Sequence, residues 1–107
     1  MAAKDNLNKN LFHGTSHFFS EGEIIDPEMG RVPKVKRAFA SNDLSYSRDY
    51  ASMAAKRKGM LFAPVYRVEP LDKEENLDEL GWKKEGVLSS KKGFEPKEIV
   101  DWGVRED

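Results

Sequence analysis

The chain contains no cysteine. Disulfides, thiolate metal sites and a cysteine nucleophile are thereby excluded. Histidine is nearly as scarce, with two in 107 residues. Without cysteine, two histidines make a structural zinc site a poor expectation, and no metal is assigned. No Walker loop, GxGxxG or HExxH occurs. No apolar run approaches the length of a membrane span. The first ten residues, MAAKDNLNKN, lack the apolar stretch of a secretory signal. The expectation is a soluble cytoplasmic protein with no membrane partner. Neither sign of charge dominates: 18 Lys and Arg face 19 Asp and Glu, for a net charge of -1. Bulk charge therefore gives no case for a nucleic-acid binder. Internal repeats and low-complexity tracts are also absent.

What is present suits one small domain. Residues 1–10 read as a flexible polar segment and residues 11–107 as a single domain. LFHGT predicts a short strand, Leu11 to His13, stopped by Gly14. A second extended piece is expected at Glu23 to Ile25, ended by Pro27. PEMGRVPKVKR reads as an exposed basic loop carrying Arg31, Lys34, Lys36 and Arg37. RAFAS is a second short strand. The clearest helix covers residues 43–58. Ser41, Asn42 and Asp43 suit its N-cap, and Ala51, Ala54 and Ala55 favour its interior. Lys56, Arg57 and Lys58 lie at the negative end of its dipole, and Gly59 suits the position just beyond it. GMLFAPVYRVEP is the strongest strand signal, with Pro64 pointing to an edge or a bulge. LDKEENLDEL predicts an acidic loop with a helical turn. Val87–Ser90 and Glu98–Val104 read as further strands. The class is α+β, a small antiparallel sheet with one main helix.

Two groups of residues carry candidate chemistry. His13 stands at a strand end, where a histidine is commonly structural or solvated. Gly14 beside it allows close approach of a ligand to the backbone. Ser47 and Tyr50 share a helix face at i, i+3. A hydroxyl beside an aromatic plate suits a flat ring bearing an amide, although Ser47 facing a strand and Tyr50 in the core is the plainer reading. His17 reads as exposed. The basic loop 31–37 and the acidic run 69–79 are solvated faces by default.

Three pieces in order, LFHGT, RAFASNDLSYSRDYA and LFAPVYRVEP, resemble the ADP-ribosyltransferase fold. In that fold a small split antiparallel sheet clasps NAD. The likeness spans about residues 11–102. It is most similar to the small rifampicin ADP-ribosyltransferase-like domains, with the helix spacing of the poly-ADP-ribose polymerases. The resemblance implies an NAD-dependent mono-ADP-ribosyltransferase with NAD as co-substrate. It implies that His13 bonds the adenine-side ribose and that the Gly14 backbone holds the nicotinamide amide. Thr15 completes that motif and is counted among the cofactor-binding residues. Phe39 stands where the family usually has a tyrosine flanking nicotinamide. Ser47 and Tyr50 match the polymerase serine and second tyrosine. Phe39 keeps the stacking surface and lacks the phenol. The catalytic carboxylate has two placements. The rifampicin-like one falls among Asp72, Glu74, Glu75 and Asp78, with Glu75 favoured. The polymerase-like one falls at Glu98 or Glu95. The acceptor is left open among small molecule, protein and nucleic acid, and a monomer is expected. Two alternatives stand beside this reading: a catalytically inactive NAD- or ADP-ribose-binding module, and an RNA 2′-phosphotransferase-like enzyme.

Overall fold

A computed structural model describes residues 10–27, 38–79 and 86–106. The expected flexible residues 1–9 and the basic loop 31–37 lie outside the described residues. The elements run β1 (Leu11–Gly14), β2 (Ala38–Ser41), α1 (Leu44–Lys58), β3 (Phe62–Pro70), β4 (Asp78–Glu79), β5 (Val87–Ser90) and β6 (Phe94–Val104). The described strands form one sheet in the order β4-β5-β2-β1-β3-β6, and every pairing is antiparallel. With the one α-helix among the described residues the fold is α+β, a small sheet and one main helix, as the sequence leads one to expect.

The helix forms where its caps dictate. The Asp43 side chain accepts the Tyr46 amide at the start, and Gly59 ends the helix in the left-handed conformation at φ 71°. Its buried face is narrow and small: Ser47, Ala51, Ala54 and Ala55. Small residues let the helix approach the sheet closely, and two glycines complete the fit. A methyl group built on Gly14 would overlap the Ser47 carbonyl oxygen and stand 2.8 Å from the Ala51 nitrogen. A methyl group on Gly103 of β6 would overlap the Arg48 carbonyl and the Ser52 amide. Both faces of the sheet are apolar. Phe12, Ala63 and Val65 pack under α1 with Ala51 and Ala55. On the opposite face Leu11, Ala38, Ala40, Tyr66, Val68, Leu88 and Phe94 form the larger core.

Three elements differ from the sequence expectation, and a fourth settles a choice it left open. Gly14 is the last residue of β1, which ends one residue later than His13. The expected strand at Glu23–Ile25 is a single bridge, Ile25 to Phe94. The last strand begins at Phe94, four residues before Glu98, because its pairing with β3 tolerates two register shifts. Of the two readings of Pro64 the edge fails, since β3 lies between β1 and β6, and the bulge is found just after it, where the register against β6 shifts at Val65/Tyr66. The Pro64 carbonyl accepts the Thr15 amide just beyond the end of β1, so the missing N–H costs only the last rung.

The packing of α1 generates a test. Gly14→Ala and Gly103→Ala are each expected to destabilise the fold by about 1–3 kcal/mol, the usual cost of overpacking. Lowered midpoints in urea at an unchanged slope would show it. Wild-type midpoints would mean that the helix does not rest on these backbones.

Candidate functional site

The site is built at a break in the sheet. The Thr15 amide bonds to Pro64, so along β1 residues 11, 13 and 15 turn their peptide groups toward β3. Phe12 and Gly14 turn theirs toward β2. The Asn42 amide bonds to Gly86, so residues 38, 40 and 42 face β5, and Phe39 and Ser41 face β1. The ladder between β1 and β2 then consists of the one pair Phe12–Ser41. Its next rung would join Gly14 to Phe39, and it is not made. The Phe39 carbonyl instead takes the His13 Nδ1, 2.7 Å away. Two peptide edges thus face each other across a split.

His13 is held in one state by this contact. A carbonyl only accepts, so Nδ1 carries the proton and donates. Burial pushes the pKa below the usual 6.5, against an opposing pull from the Phe39 carbonyl. Burial removes only part of the ring from water, and the residue as a whole keeps partial exposure. The imidazole is therefore neutral near pH 7, and Nε2 is an acceptor. Nε2 has no hydrogen-bond partner among the described residues, and no buried side-chain nitrogen or oxygen lacks one, so it meets solvent. A hydroxyl group is the ligand that suits such an atom.

The remaining nominated residues divide. Gly14 exposes its peptide edge to the split, and its missing Cβ is required by α1. Ser47 is buried, and its hydroxyl donates to the Phe12 carbonyl at 3.1 Å. While it does so it can only accept from an amide ligand, so the plainer sequence reading of Ser47 describes its contact. Tyr50 is half-buried, with its ring centroid 5.7 Å from that of Tyr46. Phe39 is half-buried beside the split. The Thr15 hydroxyl accepts the His17 amide at 3.1 Å and shapes the turn after β1.

The carboxylates have other partners. Glu75 accepts the Ser90 hydroxyl at 2.6 Å and the Lys91 amide at 2.8 Å, clamping the β5–β6 turn. Glu98 lies on β6 opposite Arg67, 3.8 Å from its guanidinium, and β3 separates that strand from β1. Glu95 pairs with Lys97 at 2.8 Å, and Asp72 with Lys92 at 2.6 Å. The structure brings none of these four into hydrogen-bond contact with His13. Asp78 opens β4, opposite Ser89.

Phe19 and Tyr66 escape the sequence reading. The Phe19 amide donates to the Tyr66 hydroxyl at 2.9 Å, and the two rings meet edge to face. The Phe19 ring also stands 6.5 Å from His13, forming a wall on its side of the sheet. No local spacing signals this, since the partners are 47 residues apart in the chain.

Two tests follow. Below pH 6.5 the unfolded chain binds a proton at His13 that the folded chain resists. Stability is therefore complete above that pH and falls as pH drops through it, by at most about 1.4 kcal/mol per unit. Urea unfolding between pH 7 and 5 should show the slope, and His13→Asn, which keeps a donor near Nδ1 and cannot titrate, should flatten it. Glu75→Ala should lose about 1–3 kcal/mol in the same assay, because two donors at the turn lose their acceptor. Glu98→Ala, with only an exposed ion pair to lose, should stay within about 0.5 kcal/mol of wild type. Comparison of the chain with family models, with curated proteins and with solved structures finds no match.

Proposed function

We propose that this chain binds NAD in the split between β1 and β2 and transfers its ADP-ribose to an acceptor, with release of nicotinamide. The observation that carries the reading is the unmade Gly14–Phe39 rung beside a neutral His13. A carboxamide has one donor edge and one acceptor edge, as a peptide does. It can pair with the Gly14 backbone as a further strand would. Phe39 beside the split offers aromatic surface, and Tyr50 on α1 is the second ring this reading assigns to the nicotinamide. The His13 Nε2 suits a ribose hydroxyl, which donates to it. These groups bind and orient. Breaking the bond from nicotinamide to ribose C1 leaves positive charge on the sugar, as in glycoside cleavage. A carboxylate facing that carbon is the group that would stabilise it.

A second reading is binding without transfer. The partners of Glu75 and Glu98 favour it, because both carboxylates serve other contacts. The absence of a phenol at Phe39 points the same way. RNA 2′-phosphotransfer stays the weaker alternative, since the arginines and second histidine that it needs find no match in the sequence.

The two readings separate in one experiment. NAD at about 100 times its dissociation constant should stabilise the fold by about 2.7 kcal/mol, read as a rise in melting temperature. His13→Ala should weaken binding about tenfold, the value of one lost hydrogen bond. Nicotinamide release, followed by chromatography, distinguishes a transferase from a binding module. No thermal shift and no release would end both.

A further inference from the structure

We propose that this chain self-associates as a weak two-fold dimer, face to face, through the sheet surface that α1 leaves bare at β3 and β6. The proposal does not rest on the dinucleotide reading, and it replaces the monomer expected from the sequence. The sidedness of the two strands defines the surface. Ala63 and Val65 pack under α1, and a methyl group on Gly103 would meet the helix backbone. Side chains alternate along a strand, and those of directly paired residues share a face. Phe62 pairs with Val104 and Pro64 with Trp102, so all four turn away from the helix. Ile99 pairs with Tyr66, whose ring belongs to the core on that same face.

That surface is apolar and open. Phe18 and Phe62 are each 49% exposed, Val104 65%, Trp102 39% and Ile99 37%. The Trp102 ring lies 5.2 Å from that of Phe62 and 6.1 Å from that of Phe18, so the three rings adjoin. At these exposures the five residues offer on the order of 500 Å², the upper part of the range for the largest apolar patch on a monomer. Two copies packed on it bury about 1,000 Å², more than most crystal contacts and less than a standard stable interface, which makes the dimer weak.

The edge beside this surface is closed to a further strand, which leaves only the face. The Thr15 amide bonds to the Pro64 carbonyl, so Pro64 turns toward β1, and Ala63 and Val65 turn toward β6. Their partners Gly103 and Asp101 turn toward β3, and Trp102 turns its peptide group to the free edge. The Asp101 carboxylate takes the Trp102 amide at 2.8 Å, Pro96 has no amide to offer, and two register shifts break up the strand. An extended peptide therefore finds no ladder here. None of the five exposed residues is charged, so a two-fold axis near Trp102 sets no charge against its own copy. An apolar patch without charge is what the centre of a homodimer interface presents. Toward the start of β6, Glu21, Glu23 and Glu95 outnumber Lys97 around a cavity that Tyr66 also lines. These acids oppose an anionic membrane or a nucleic acid on this face. The two-fold axis sends the two acidic ends in opposite directions.

The test is sedimentation velocity on the intact chain from about 10 µM to about 1 mM, a range that brackets weak association. The average mass should rise with concentration toward twice that of the chain. Val104→Lys, at the most exposed of the five positions, places a charge within the interface and should weaken the dimer at least about tenfold. Phe18→Ser, in the segment after β1, should weaken it in the same direction. Met53→Lys changes an equally exposed apolar residue on α1 and should leave the association as it is. A chain that stays monomeric at about 1 mM overturns the proposal. So does a dimer that survives both Val104→Lys and Phe18→Ser, or one that is lost in Met53→Lys. Binding to phosphatidylcholine vesicles by a chain that does not dimerise overturns it in favour of a lipid surface.

Discussion

The contact on which the rest depends is the close approach of α1 to the sheet. It is made by absence: no side chain at Gly14 or Gly103, and only methyl groups at Ala51, Ala55 and Ala63. Close approach brings the Ser47 hydroxyl to the Phe12 carbonyl, which ties the helix to β1. It also brings the Ser47 carbonyl over Gly14, so no side chain can occupy that face of β1 at the split. A longer residue would lift the helix and alter the strand that carries His13. The helix thus acts as a gauge for the position of one peptide edge.

The second constraint is a choice of partner. The Phe39 carbonyl lies where a ladder bond to Gly14 would continue the sheet. It accepts from His13 Nδ1 instead. One side-chain bond therefore does three things. It stops the ladder after Phe12–Ser41, fixes the imidazole tautomer, and leaves Nε2 facing water as an acceptor. Desolvation of the ring keeps it neutral, so the acceptor persists near neutral pH.

The legible part of the fold was local. Asp43 and Gly59 cap a helix by their own chemistry, and the β-branched and aromatic residues of LFAPVYRV favour a strand whatever lies beside it. Pro64 left edge and bulge open because the choice depends on a neighbour, and the structure has the bulge. One residue beyond the end of β1, Pro64 is tolerated in an interior strand. The start of β6 was read at Glu98 because Pro96 is a poor strand residue, while register shifts let Phe94, Glu95 and Pro96 pair with β3. At the site, His13 and Gly14 were legible as residues that suit a split. The fate of Glu75 was not. Its tie to Ser90 and Lys91 joins segments about 15 residues apart through a turn that no spacing rule specifies. Ser47 was legible both ways, and the contact observed is the plainer one.

These two kinds of group have different consequences for chemistry. The features that suit a carboxamide are backbone edges, and backbone edges survive a change such as phenylalanine in place of tyrosine at Phe39. In the proposed function, holding a dinucleotide is then robust to sequence. Stabilising a sugar cation is not robust in this way, because it needs a full negative charge at one carbon and a side chain must supply it. Glu75 is committed to a turn and Glu98 to the side of β3 away from β1. In the proposed function, affinity would rest on the backbone of the split and turnover on a single carboxylate, so the transferase and the binding module differ by one side chain.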